Sequence, residues 1–462
     1  MSAAARAELE ALLRAALGAV HGERLVRDAV CEQDGALAIA GRRVPEPARL
    51  VVAAAGKAAA AMAAGLEAVA GARIARGWLV TRDGHAETAR AAGALPPARW
   101  TVREAGHPVP DARSESAAHE LLALAAATEP EDVLVVLLSG GASALLACPL
   151  PGLTLADLAA VTRVLLGSGA AIDEVNAVRK HLVEVAGGRL ACATRAGRIE
   201  VLAISDVPGD HLDVIGSGPC SPDPTRFADA LAVLAGRGLA AALPPAVRAH
   251  LEAGVRGERP ESPKPGAGGF ERVRTTLLAG NATALAAATT AARQRGLAVV
   301  PLPEALRGEA REAGRRLAAL AASLRPRAPT LLLAGGETTV TLPASEPAGR
   351  GGRSQELALA AALELAGCEG VTLLAAGTDG SDGPTDAAGA CVDGTTTARA
   401  RAAGHDAQAA LARHDSHSFF LADGGVVRTG PTGTNVMDLV LARVDPDGSP
   451  PNRPFPPASE SV

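Results

Sequence analysis

The stretch VLVVLLSGGAS, residues 133–143, runs through six consecutive apolar residues into Ser139-Gly140-Gly141-Ala142-Ser143. A strand that is apolar at every position must be covered on both faces, which is the condition of a parallel sheet packed between helices. The two glycines let the backbone turn and approach a ligand closely, and the following ASALLA segment reads as a helix whose N-terminus points at that turn. The same strand, glycine and helix pattern recurs on either side. LVVAAA (50–55) ends at Gly56-Lys57, VLAI (201–204) ends at Ser205-Asp206, and TTLLA (275–279) ends at Gly280-Asn281. Farther on, LLLA (331–334) ends at Gly335-Gly336-Glu337-Thr338, and TLLAA (372–376) ends at Gly377-Thr378-Asp379-Gly380-Ser381-Asp382. The fold class is therefore α/β, with a Rossmann-like parallel sheet in the N-terminal half and a second α/β domain after it.

Length and composition bound the alternatives. A chain of 462 residues, 48% hydrophobic, has material for more than one core. The spacing of Leu9, Leu12, Leu13, Ala16, Leu17 and Val20 predicts an amphipathic opening helix. RGERPESPKPGAGGFERVR (256–274) is charged, Pro/Gly-rich and attached to no periodic element, so it reads as a linker between an N-terminal domain (1–255) and a C-terminal domain (275–445). The Pro-rich tail 446–462 reads as disordered.

A net charge of −5, 2% aromatics and no Lys/Arg run argue against a nucleic-acid partner. Glu8 and Glu10 stand where a signal peptide would be apolar, and no stretch of membrane-spanning length is free of charge. A cytoplasmic protein without a membrane partner is the expectation. Six scattered cysteines with no CxxC pair read as reduced structural thiols.

In an open α/β sheet ligands bind off the carboxyl ends of the strands, so polar residues there are the candidates. Ser139, Gly140, Gly141 and Ser143 form the best phosphate cradle, although packing alone also produces such turns. Lys57 opens an otherwise Ala-only helix, where the dipole opposes a cation unless an anion binds there. Arg353, in GRGGRSQELALA (349–360), suits bidentate binding of a phosphoryl group or carboxylate. Asp206 follows a strand directly, while Asp210 and Asp213 share its loop. Asp379, Asp382 and Asp386 form a second acidic loop, able to hold Mg²⁺ or accept a proton, or simply to make turns. Glu337 is a lone acid at a strand-terminal turn. His107 in GHPVPD (106–111) reads as a loop histidine. Neither GxGxxG nor a P-loop occurs at the early strand-to-helix turns.

Taken together, AAGKAAAAMA, GHPVPD, LLSGGASALL, AIDEVNAVRKHL, ISDVPGDHLDVIGSGP, LLAGNATAL, LAGGETTVTL, GRGGRSQELALA, AAGTDGSDGPTDAAGA and GPTGTNVMDL make the chain resemble the class II glycerate kinases, a family with a C-terminal domain known for its leucine-rich fragment. The resemblance runs almost end to end. It implies ATP-dependent phosphorylation of D-glycerate at its 2-hydroxyl with Mg²⁺ or another divalent cation, in a cleft between two domains. Members have also been labelled hydroxypyruvate reductases, which is the second reading. By the same resemblance Lys57 and Arg353 match the family's cleft lysine and arginine, with Asp206 and Asn281 near the cleft; Lys57, Arg353 and Asp206, the last as base or metal anchor, are expected to be catalytic. Ser139, Gly140, Gly141, Ser143, Asn281, Gly335 and Glu337 are expected on the nucleotide, and Asp379 and Asp382 on the metal. A homodimer is compatible with this reading.

Overall fold

The structure, a computed structural model, describes residues 2–446 apart from 34, 92, 94, 98 and 343–348. The expected disordered tail lies, but for its first residue, outside the described residues.

Two compact units are present. The first comprises Ala19–Gly280 and Pro431–Val436. After a short helix, Gly22–Ala29, comes a small antiparallel sheet of β1 (Val30–Gln33), β2 (Ala36–Ile39) and β3 (Arg42–Arg43). Its main sheet contains β4 (Leu50–Ala55), β5 (Ile74–Arg82), β6 (Trp100–Ala105), β7 (Val133–Leu138), β8 (Arg198–Ile204) and β9 (Val273–Ala279) in the order β6-β5-β4-β7-β8-β9. Every pair is parallel. Every residue of β4 and β7, the two central strands, is buried, whereas the edge strands β6 and β9 are only partly so. This is the doubly wound order expected of a Rossmann-like sheet, and the winding reverses between β4 and β7.

The second unit comprises Met1–Gly18, Asn281–Gly430 and Met437–Val462. Its sheet contains β10 (Ala298–Pro301), β11 (Thr330–Gly336), β12 (Val371–Gly377), β13 (Gly389–Asp393), β14 (Val426–Val427) and β15 (Asp438–Val444), ordered β10-β11-β15-β12-β13-β14. β15 runs antiparallel between β11 and β12, so this sheet is mixed. Its register pairs Asp438 with Gly336 on one side and Gly377 on the other. The last strand thus starts where its two neighbours end.

The units divide at points other than those expected from sequence. β9, assigned to the second domain, pairs with β8 and completes the first sheet. The stretch 256–274 is no free linker. Ser262 is buried and donates to Asp223 at 2.6 Å, the Asp223 N–H donates to the Pro263 carbonyl at 2.8 Å, and Arg272 donates to the carbonyls of Ala191 and Ala196 at 2.8 Å each. Pro and Gly richness there marks a loop hydrogen-bonded down onto its unit. The opening helix, Ala3–Ala19, carries the expected apolar face but serves the second unit: Arg6 donates to the carbonyls of Gly424 and Val426 at 2.7 and 2.8 Å, and Arg443 pairs with Glu8.

Candidate active site

In the first unit the expected residues gather at the reversal point. Gly56 has φ 120°, a conformation strained for any residue with a side chain, and a Cβ there would fall on Ser139. The chain therefore turns tightly over β7: the Lys57 N–H donates to the Gly140 carbonyl at 2.9 Å and the Ala58 N–H to Ser139 Oγ at 3.0 Å. Ser139 is fully buried, and its hydroxyl clasps the two strand ends together.

Gly140 allows a close approach of a different kind, because a Cβ at this position would collide with the Asp206 carboxylate and the Asn435 amide. These two side chains are themselves joined, Asn435 Nδ2 donating to Asp206 Oδ2 at 2.9 Å. Gly141 has φ 87°, and a Cβ on it would stand 3.2 Å from the His107 ring and 3.4 Å from Lys57 Cγ. Lys57, His107, Gly140, Gly141, Asp206 and Asn435 thus surround one turn.

The helix after this turn is shorter than its sequence suggested. It spans only Ala142–Leu145, a single turn without a useful macrodipole, so the backbone of the glycine turn itself must do any anion binding. Ser143 faces inward, with its Oγ 2.7 Å from Ser217 Oγ, and Ser217 donates to Asn176 at 2.6 Å. Asp213 accepts from the buried Lys180 at 2.8 Å, which gives it an ion-pairing role away from Asp206.

In the second unit Arg353, the first residue of the helix Arg353–Glu364, is bound on two sides. Nε and Nη2 donate to the two oxygens of Asp438 at 2.6 and 2.9 Å, and Nη1 pairs with Glu337 at 2.6 Å. Burial works against its charge, but Asp438 and Glu337 more than offset this and hold the guanidinium more firmly protonated than an isolated arginine. The sequence suggested a cation waiting for an anion; the structure shows one already bracketed by two carboxylates. Asn281 starts the helix Asn281–Gln294, donates to the Asp438 carbonyl at 3.2 Å, and lies where a Cβ on Gly335 would be.

The two residues expected on a metal separate. Asp382 is buried and caps the Arg353 helix: Oδ1 accepts the Ser354 N–H at 2.9 Å, while Oδ2 accepts the Gln355 N–H at 2.7 Å and its Nε2 at 3.0 Å. Burial pushes its carboxyl up to about 6 in spite of these donors. With both oxygens holding N–H groups, its role in this structure is to cap the helix. Asp379 accepts from the Ser381 N–H at 2.9 Å through Oδ1. A Cβ on Gly377 would stand 3.4 Å from Oδ1 of both Asp379 and Asp438, so glycine leaves room where two carboxylates converge. Asp438 Oδ1 is already held by Arg353 and Asp379 Oδ1 by Ser381.

Asn435 and Asp438, both within GPTGTNVMDL, are not singled out by the sequence pattern, and neither is the place of His107 beside Gly141. The available signal was a pair of polar residues flanking Val436-Met437 at the start of an apolar strand. No helix among the described residues is long and apolar enough to cross a membrane.

Comparison with known proteins agrees with this architecture. The domain of unknown function DUF4147 matches residues 8–252 and the MOFRL family matches residues 330–438. A glycerate 2-kinase of Pyrococcus horikoshii is 38% identical over 438 residues, covering 94% of this chain and 96% of that protein. A protein of Agrobacterium vitis carrying a hydroxypyruvate reductase name is 44% identical over 422 residues, covering 90% of this chain and 92% of that one. The crystal structure of a glycerate kinase from Thermotoga maritima superposes with a TM-score of 0.76 at 36% identity, covering 96% of this chain and 99% of that one. With a six-stranded parallel sheet, a second mixed sheet and relatives matched over nearly their whole length, the chain belongs to the class II glycerate kinase family.

Proposed function

We propose that this protein transfers the γ-phosphoryl group of ATP to the 2-hydroxyl of D-glycerate, giving 2-phosphoglycerate and ADP. The observation that carries the reading is the cluster at the β4/β7 reversal, where Lys57, a bare glycine turn and the Asp206–Asn435 pair meet. Relatives named glycerate 2-kinase at 38% and 40% identity supply the substrate.

Phosphoryl transfer asks a protein mainly to position reactants and offset charge. The Gly140-Gly141 backbone admits the phosphates closely, and the Lys57 ammonium offsets the charge on the transferred group. The C2 hydroxyl oxygen bonds to the γ-phosphorus as the bond to the β–γ bridging oxygen breaks, ADP departs, and Asp206 takes the hydroxyl proton. Asn435 holds the Asp206 carboxylate in one orientation. Arg353 contributes a fixed fork of N–H donors, oriented by Asp438 and Glu337, rather than net positive charge. Of these acids Asp379 is the candidate to hold Mg²⁺, which would neutralise phosphate charge. Asp382 supports Arg353 by fixing the start of its helix.

A hydroxypyruvate reductase would need a nicotinamide site. The turn after β4 reads Ala55-Gly56-Lys57-Ala58, with a cation and one glycine where a dinucleotide fingerprint has three glycines. The test incubates purified protein with ATP, Mg²⁺ and D-glycerate, resolves 2- from 3-phosphoglycerate, and separately follows NADH and NADPH absorbance with hydroxypyruvate. Formation of 2-phosphoglycerate without nicotinamide oxidation supports the proposal. Predominant 3-phosphoglycerate overturns the regiochemistry, and nicotinamide oxidation without phosphoryl transfer overturns the activity.

A further inference from the structure

Away from the reversal-point turn, the first unit brings together a thiol, an imidazole and a carboxylate. Cys148 Sγ lies 3.0 Å from His119 Nε2 and 3.6 Å from Glu184 Oε2, and one ligand atom from each residue falls within 4.8 Å of the other two. Three independent segments supply them. His119 stands on the helix Ala112–Ala126, which is fixed at its start by the Asp111–Ser114 capping box. Cys148 and Glu184 are held opposite one another by backbone pairing, with the Glu184 N–H donating to the Cys148 carbonyl at 2.8 Å and a bridge between Pro149 and Val183.

We infer that Cys148, His119 and Glu184 form a binding site for a thiophilic divalent cation such as Zn²⁺, separate from any Mg²⁺ used in phosphoryl transfer. A sulfur, a nitrogen and an oxygen are the donor types of zinc sites, and sulfur discriminates against Mg²⁺. Zinc bond lengths at the tetrahedral angle put neighbouring donors roughly 3.5 Å apart. The sulfur–carboxylate spacing of 3.6 Å already meets this. The sulfur–imidazole spacing of 3.0 Å must open by about half an ångström, which His119, exposed on its helix, is free to allow. The buried sulfur and half-buried carboxylate form the floor of the site, and the exposed imidazole leaves the fourth position to water. On binding, the thiol proton leaves to solvent as the sulfur takes the metal. The cation would clip the helix Ala112–Ala126 to the segment leading out of the glycine turn.

Cobalt(II) is the probe, because a thiolate ligand gives it a near-ultraviolet charge-transfer band. The full-length protein, stripped of metal with a chelator, is titrated with Co²⁺ and then with Zn²⁺. The expected result is one Co²⁺ per chain with that band, displaced by one equivalent of Zn²⁺ and absent in Cys148→Ser. His119→Gln, at an exposed position that does not endanger folding, should weaken Co²⁺ binding at least about tenfold. No band with the wild-type protein overturns the proposal. So does a band that survives Cys148→Ser, since Cys31 and the exposed Cys192 are also free thiols, or one unaffected by His119→Gln.

Discussion

Arg353 and Asp438, 85 residues apart in sequence, share a two-point ion pair in which Nε and Nη2 each reach a different carboxylate oxygen. Asp438 is itself fixed by strand pairing to Gly336 and Gly377, so the fork sets the guanidinium against the ends of two strands at once. Arg353→Lys keeps the charge but loses the fork. It should lower kcat at least tenfold, and the side chain's partial exposure holds the stability loss to about 1–3 kcal/mol. Steady-state kinetics and urea unfolding check both values; unchanged kcat would show that orientation at this position does not matter.

Lys57 and Ser139 sit at the same turn but should behave in opposite ways. Lys57→Ala removes a charge from a partly exposed position and should cost two to three orders of magnitude in kcat while leaving the melting temperature within a few degrees. Ser139→Ala leaves the Ala58 N–H without its acceptor and should cost about 1–3 kcal/mol of stability, with a smaller kinetic effect. Comparing kcat with unfolding free energy for both variants separates chemistry from scaffolding.

Gly140→Ala places a methyl group on the Asp206–Asn435 pair. Either the pair is pushed apart or the turn lifts, and the expected cost is about 1–3 kcal/mol of stability together with most of the activity. Asn435→Ala keeps the space but frees Asp206, and should lower kcat with little change in stability. Activity at wild-type level in Gly140→Ala would remove this turn from the site.

Asp382 gives a pH signature. Its carboxyl titrates near 6 in the folded chain, against 3.8 for the unreacted side chain, because burial disfavours its charge. The native state therefore holds a proton that the unfolded state has already released. The stability this supplies is fully present below about pH 4 and is lost as pH rises through 6, at most about 3 kcal/mol. Asp382→Asn cannot titrate, so its stability deficit relative to wild type should shrink between pH 4 and pH 7. A deficit constant across that range would refute the assignment.

The strand ends were legible because fully buried strands announce themselves as unbroken apolar runs, and β4, β7, β11 and β12 all follow that rule. Lys57 stood out for the same local reason, as a charge in a run of alanines. Partners were not legible. Nothing local to Arg353 specifies Asp438, because strand register makes that pairing. Asp382 resembles a loop carboxylate in sequence and becomes a helix cap only when the chain returns to Ser354. The domain boundary was misplaced on composition, which cannot distinguish a proline-rich loop that is free from one that is hydrogen-bonded down.

The position of β15 also bears on how the protein is made. The last strand described fills the gap between β11 and β12, and the first helix packs in the same unit. On a ribosome, residues 2–18 emerge long before residues 438–444, and the sheet of their unit stays split until the latter follow. The parallel sheet of the other unit, its six strands all encoded before residue 280, has the earlier opportunity to assemble. Loop-closure entropy makes such distant pairing slow. Truncation just before Asp438 should therefore leave a chain whose second sheet cannot close, with β11 and β12 each left as an unpaired apolar edge, two sites for aggregation.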